Sequence, residues 1–339
     1  MSERVLITGA SGFIGYHLVK GALDKGYEVH AAVRRSSATG DLKKLGMEAE
    51  ANKTGKLLFV YPDFTSVESL LPMMTNGAYD YVIHAAGLTR AKTNDEYKEV
   101  NANYTTRLAE AALKSGFPLK RFVFMSSLAA VGSKPYHAPT PIDENEEFKP
   151  LTSYGKSKML AEQHLAEIKE LPLTVIRPTA VYGPREKDIF ILFETLNKGL
   201  DLYIGHDPQW LSFVYVEDLV AATLAAFLEK DKLHTAYNIS DGKKYDRYKL
   251  ADLFKEFSRK SPLRVHLPLG IIKVTATILE ACSSKNAPVL NPEKISELTA
   301  ENWYCSIEKA RKNLGYEPQF DLKEGMNVTL KWYKAQKWL

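Results

Sequence analysis

Val5-Leu6-Ile7-Thr8-Gly9-Ala10-Ser11-Gly12-Phe13-Ile14-Gly15 stands almost at the start of the chain and decides how the rest is read. A β-prone apolar run ends in three glycines spaced G-x-x-G-x-x-G. An amphipathic run with Ile14, Leu18 and Ala22 on one face follows. The spacing serves a tight strand-to-helix turn, lets backbone approach a pyrophosphate with no Cβ in the way, and points a helix N-terminus at the negative charge. On this basis Gly9, Ser11, Gly12, Phe13, Ile14 and Gly15 cradle a dinucleotide. The alternative is a plain strand–turn–helix; a β-rich strand before the turn and an amphipathic helix after it favour the cradle.

Outward from this motif, short β-rich runs alternate with helical patterns, which predicts an α/β fold with a doubly wound parallel sheet. Arg4–Thr8, Tyr27–Val33, Lys56–Tyr61, Tyr81–Ala85, Arg121–Ser126 and Leu173–Arg177 read as strands. Phe13–Lys25, Asp95–Lys114 and a segment from Ser153 read as helices, the last with Ala161, His164, Leu165 and Ile168 at i, i+3, i+4, i+7. Pro135 to Pro150 reads as a polar, proline-rich surface loop. Past Pro178 the alternation becomes irregular. Ile189–Lys198 and Glu217–Leu228 read as helices, and Leu202–Ile204 and Phe213–Val216 as strands. The expected organisation is a dinucleotide-binding domain over 1–181, rejoined by segments from roughly 212–240, with 182–339 mainly a smaller substrate-binding lobe.

The end of the second strand selects the cofactor. An acidic residue there binds the adenosine ribose of NAD. Here Val33 holds the place and Arg34 and Arg35 follow. A guanidinium pairs with a 2′-phosphate that a carboxylate would repel. NADP(H) is therefore expected over NAD(H), with Arg34 the primary contact; the alternative is two solvated loop arginines. Asp63 and Phe64 follow the third strand, where a carboxylate suits the adenine amino group or simply a turn. Ala85, Ala86 and Gly87 end the fourth strand, and small residues there admit the cofactor ribose.

A proton-transfer group comes later. Tyr154 and Lys158 lie four residues apart on a predicted helix and share a face. A neighbouring ammonium and an oxidised nicotinamide would lower the phenol from its usual value near 10 and tune it as a general acid/base. Ser127, at the carboxyl end of the fifth strand, is placed to hydrogen-bond a substrate oxygen. By itself a Tyr-x-x-x-Lys is often a surface pair; its place after Ser126-Ser127 argues against that here.

Composition bounds the alternatives. The chain has 339 residues, 45% hydrophobic and 25% charged, with net charge +4, which is ordinary for a globular protein. The basic balance suits a phosphorylated cofactor or an anionic substrate. Without a basic arm or zinc-ligand spacing, nucleic acid is a poor partner, and no metal is expected. Two cysteines, Cys282 and Cys305, point to reduced thiols and a cytoplasmic setting. No signal peptide and no membrane span is expected. The most apolar stretch, Leu267 to Cys282, is broken by Pro268, Lys273 and Glu280 and reads as a helix buried on one face.

Taken together, these motifs resemble the extended short-chain dehydrogenase/reductase family, also called the NAD-dependent epimerase/dehydratase family, over essentially the whole chain. Further similar segments are Val100-Asn101, Arg177-Pro178-Thr179-Ala180-Val181-Tyr182-Gly183-Pro184-Arg185, Phe213 to Asp218, Tyr237-Asn238-Ile239 and Lys309 to Tyr316. The resemblance implies a Rossmann-type sheet and a catalytic triad of Ser127, Tyr154 and Lys158. It also implies that Ser126 lines the nicotinamide pocket, that Pro178 and Val181 hold the nicotinamide, and that Asn101 is structural beside it. A homodimer pairing Asp95–Lys114 and Ser153–Lys169 with their symmetry mates is the implied assembly. Two departures narrow the chemistry. Leu128 and Ala129 replace the acidic pair of the dehydratases, so dehydration is not expected. Gln209-Trp210-Leu211-Ser212 lacks the arginine with which nucleotide-sugar epimerases reach a diphosphate, although Arg185 is an alternative contact. Ile271–Cys282 loosely resembles the lobe of hydroxysteroid-dehydrogenase-like members. The leading expectation is an NADP(H)-dependent oxidoreductase for a small-molecule secondary alcohol or ketone. A C4 epimerase with tightly held cofactor and a non-catalytic nucleotide-sensing protein are the alternatives.

Overall fold

The computed structural model describes residues 2–229, 233–272 and 291–339. In chain order the strands are β1 (Arg4–Thr8), β2 (Glu28–Ala32), β3 (Lys56–Val60), β4 (Tyr81–His84), β5 (Arg121–Met125), β6 (Leu173–Pro178), β7 (Ala180–Tyr182), β8 (Leu200–Ile204), β9 (Trp210–Leu211), β10 (Phe213–Tyr215), β11 (His234–Ile239), β12 (Tyr245–Asp246) and β13 (Leu263–Leu267). Seven form one parallel sheet in the order β11-β6-β5-β4-β1-β2-β3. The order reverses between β1 and β4, and at such a switch point the loops beyond the strand ends part to leave a ligand crevice.

Period-2 alternation sends the β1 side chains to both faces. Val5 and Ile7 join a core with Leu18 and Ala22 of α1 (Phe13–Asp24), Leu42 of α2 (Gly40–Ala51) and Leu219 of α8 (Val216–Ala225). Leu6 joins the opposite core with Leu70 of α3 (Val67–Gly77), Leu108 of α5 (Tyr104–Lys114) and Leu165 of α6 (Ser153–Glu167). Burial on both faces is why the central strands read as continuous apolar runs. A separate core of Tyr182, Phe193, Phe213, Tyr215, Phe254 and Tyr333 joins β7 and β10 to α7 (Phe190–Asn197), α9 (Lys249–Ser258) and the C-terminal helix Leu322–Ala335.

Helices α2 and α3 escape the sequence pattern. The first is largely polar with Gly40 and Gly46, and the second carries Pro72. The predicted helix Asp95–Lys114 is interrupted: α4 (Asn94–Tyr97) runs into a π-helical turn, Lys98–Asn103, before α5. Such turns reposition side chains inside a continuing helix, and here the turn buries Asn101 completely. The Pro135–Pro150 segment is more than a surface loop. Ile142 is fully buried and bridges to Cys305, and Lys134 bridges to Asn302. Cys305 is a buried free thiol; Cys282, and Ile271–Cys282 beyond Ile272, lie outside the described residues. Among the described residues no helix is long and apolar enough to cross a membrane, and no group of His, Cys, Asp and Glu is placed to hold a metal.

Candidate active site

The glycine turn packs against the end of β4. Gly9 adopts φ +69°, and a Cβ there would lie 2.7 Å from the Ala85 carbonyl oxygen. At Gly15 a Cβ would lie 2.0 Å from the Gly9 oxygen. Both positions therefore exclude a side chain. Gly12 N–H donates to Gly9 O at 2.9 Å, and no side chain caps the N-terminus of α1. Exposed Ser11 and Gly12 front this end, with Phe13 and Ile14 half-buried behind them. A Cβ-free turn with uncapped helix amides fits a pyrophosphate.

A buried hydrogen-bond chain ties β1 and β4 to the π-helical turn. Ala86 N–H donates to Thr8 Oγ1 (3.1 Å), which pairs with His84 Nδ1 (2.7 Å). His84 Nε2 pairs with Thr105 Oγ1 (2.9 Å), which donates to Asn101 O (2.8 Å). Each threonine has one hydroxyl proton, so a neutral His84 protonated at Nε2 satisfies every link. Burial, and secondarily the Lys158 charge, push His84 down to about 3, which keeps it neutral. Asn101 then clamps the following loop: its Oδ1 accepts Leu88 N–H (2.7 Å), and its Nδ2 donates to Leu88 O and Ser157 Oγ (each 2.9 Å).

Arg34 and Arg35 leave the end of β2 exposed, while Val33 is buried. Arg34 N–H donates to Ser37 Oγ at 3.2 Å, and the Arg35 guanidinium lies 5.0 Å from the Tyr61 ring centroid. Asp63 accepts Thr65 N–H at 3.0 Å, which holds its carboxyl below the usual range. It thus helps form the turn into α3. Phe64 stacks on Tyr104 at 5.2 Å, and its carbonyl accepts from Arg107.

Helix α6 carries Tyr154 and Lys158, the pair expected from sequence to transfer a proton. Thr152 caps it, accepting Gly155 N–H at 3.1 Å. Half-buried Tyr154 lies beside the Tyr97 ring (centroids 6.4 Å apart), with Ser127 near enough to lower its pKa. One turn on, buried Lys158 donates to Met125 O at 2.8 Å, under the face of Phe124 at 4.8 Å. Its Nζ lies 3.3 Å from where a Cβ on Gly87 would stand, so it reaches the groove between β4 and β5. The expected lowering of the phenol by Lys158 does not appear. Burial dominates and pushes Tyr154 up to about 12, opposed by the nearby Ser127 hydroxyl. Burial also lowers Lys158 to about 8, with Glu162 acting against it.

Ser126 is engaged behind the groove. Its buried hydroxyl donates to Glu162, whose carboxylate also takes Arg177 Nη2 at 2.6 Å and Nε at 3.1 Å. The Ser126 hydroxyl thus serves the Glu162–Arg177 ion pair at the end of β5, where the resemblance implies a residue lining the nicotinamide pocket. Pro178 is buried at the end of β6, and Val181 sits half-buried on β7, paired with Val214 of β10.

A strap after β7 crosses toward the glycine turn. Pro184 O pairs with His17 Nε2 at 3.0 Å. Arg185, at φ +79°, lies 4.1 Å from the Tyr16 ring centroid and pairs with Asp41 at 2.6 Å. It is thus turned to α2. Asp188 pairs with Arg90 from the loop after β4. Sequence reasoning missed Thr8, His17, His84 and Glu162. For Glu162 a signal was present, because it repeats the Tyr154–Lys158 spacing one turn further along α6.

The NAD dependent epimerase/dehydratase family model matches residues 5–240. The chain is 28% identical to a ceramide reductase of Caulobacter vibrioides, covering 99% of this chain and 96% of that one. It is 27% identical to a UDP-glucose 4-epimerase of Vibrio cholerae, covering 97% and 95%. In fold it is similar to the UDP-glucose 4-epimerase of Thermotoga maritima solved with UDP-glucose, with a TM-score of 0.78 at 24% identity over 98% of this chain and 99% of that one. The chain belongs to the NAD-dependent epimerase/dehydratase family.

Proposed function

We propose that this family member is an NADP(H)-dependent oxidoreductase acting between a secondary alcohol and its ketone, with Ser127, Tyr154 and Lys158 as its catalytic group. The observation that carries the proposal is the placement of these three at one groove. Ser127 directly follows the β5 end, where Lys158 donates to Met125 O beside Gly87, and Tyr154 precedes Lys158 by one helical turn with its phenol influenced by Ser127. The glycine turn would hold the pyrophosphate and Arg34 the 2′-phosphate; when bound, the nicotinamide supplies or accepts the hydride. A phenol held near 12 is protonated at neutral pH, the state required of a general acid delivering a proton to a carbonyl oxygen. Ser127 would orient that oxygen. The Lys158 ammonium, beside Gly87, would hold the nicotinamide ribose.

A C4 epimerase is the second reading, favoured by the named epimerases among the relatives. Against it stand the missing arginine at Gln209–Ser212 and the engagement of Arg185 with Asp41. Dehydration lacks its acid at Leu128 and Ala129.

The test is NADPH and NADH oxidation over a panel of ketones and 4-keto sugars. Tyr154→Phe is expected to lower kcat at least ~100-fold while leaving the Kd for NADPH unchanged. Full turnover by the Phe variant would overturn the assignment.

A further inference from the structure

The residue immediately before Tyr154 is held by a carboxylate from the far end of the chain. Ser153 N–H donates to Glu293 Oε2 at 2.9 Å, and Ser153 Oγ–H donates to Glu293 Oε1 at 2.6 Å, across 140 positions of sequence. Ser153 is the first residue of α6 and is buried. The opening amides of a helix have no partner within it. Here Glu293 takes the first and the Thr152 hydroxyl takes the third. A negative charge at this end also complements the helix dipole.

Glu293 sits on the short helix Pro292–Leu298, which is anchored independently of this contact. Ile295 is fully buried, Gln209 Nε2 donates to Leu298 O and Ala300 O at 2.8 Å each, and Trp303 Nε1 donates to Glu297 O. The same helix brings the Glu297 charge to bear on Tyr154 and Tyr97, and that of Glu293 on Tyr97. The lobe therefore meets the catalytic helix at the turn that carries the acid.

We propose that Glu293 is a positioning residue for Tyr154. By gripping both donors of Ser153 it fixes the first turn of α6, so the phenol is aligned with Ser127 only while the Pro292–Leu298 helix is docked. The proposal rests on Tyr154 being the general acid. It makes docking of the substrate lobe part of assembling the active site.

Glu293→Ala removes both contacts. Glu293→Gln keeps an oxygen for Ser153 N–H and an amide that can donate to Ser153 Oγ. With the ketone that the wild-type protein reduces fastest, the Ala variant is expected to lose ~10–100-fold in kcat with the KM for NADPH within twofold, and the Gln variant to stay within threefold of wild type. Amide hydrogen exchange of residues 153–157, followed by mass spectrometry on the NADPH-bound protein, needs no substrate; it should quicken about tenfold in the Ala variant and not in the Gln variant. Unchanged exchange or unchanged kcat in Glu293→Ala would overturn the proposal. So would a loss shared equally by kcat and NADPH affinity that Gln does not rescue, the pattern of mere destabilisation. If Tyr154→Phe retains full activity, the assignment of the acid fails; if Tyr154→Phe is inactive and Glu293→Ala is not, only the positioning role fails.

Discussion

Lys158 is buried next to a carbonyl oxygen and an aromatic face, yet its carboxylate neighbour Glu162 is already committed to Arg177. Burial therefore holds it at about 8, below the ordinary lysine value of 10.5. Between those two values the unfolded chain binds more protons than the folded one, so this group's contribution to stability rises with pH across that window and is flat below it. Denaturant unfolding of the wild type and of Lys158→Met at pH 7, 8.5 and 10 should show the wild type gaining relative to the variant as pH rises, by at most about 3 kcal/mol. A constant difference would contradict the burial account. Tyr154, Lys158 and Ser127 were singled out in sequence because the proposed chemistry requires their types and two of them share one helix face. Glu293 was not, because its partner is 140 positions away and a glutamate before a polar helical run is also what solvent-facing sequence looks like.

At the scale of elements, the Glu162–Arg177 pair locks α6 to β6, and through Ser126 to the end of β5. The Arg177 guanidinium also covers the Phe148 ring at 5.1 Å, which fastens the 135–150 segment to the same node. Arg177→Met strands a buried carboxylate and should cost about 3–5 kcal/mol, measured by denaturant unfolding, while Arg177→Met with Glu162→Leu should recover most of the loss. A single-variant loss below about 1 kcal/mol would show that the pair is solvated in solution. Six of the seven sheet strands were readable to within a residue at their ends, since burial on both faces leaves unbroken apolar runs; β11 was not read as a strand. Helix α2 was not, because its buried positions Leu42, Leu45 and Ala49 are diluted by charge and glycine. The π-helical turn was not either; the side chains around it keep helical spacing on both sides, and only the burial of Asn101 reveals the extra residue.

Across the whole molecule, Arg34 after β2, the glycine turn after β1 and Lys158 at the end of β5 stand along the carboxyl edge of the sheet, and the Pro184–Asp188 strap makes contacts with His17, Asp41 and Arg90. The first half of the chain was legible because one strand–turn–helix rhythm repeats through it. The lobe was less so, since its strands are two to five residues long and pair with distant partners. The central claim is a reductase that uses NADP(H) and exchanges it. The most direct measurement is to purify the protein, denature it, and identify and count the released nucleotide by mass spectrometry before and after dialysis. Sub-stoichiometric NADP(H) that dialysis removes is the expected result. Stoichiometric NAD⁺ that survives dialysis would contradict both the Arg34 assignment and the reductase, and would establish the epimerase reading in their place.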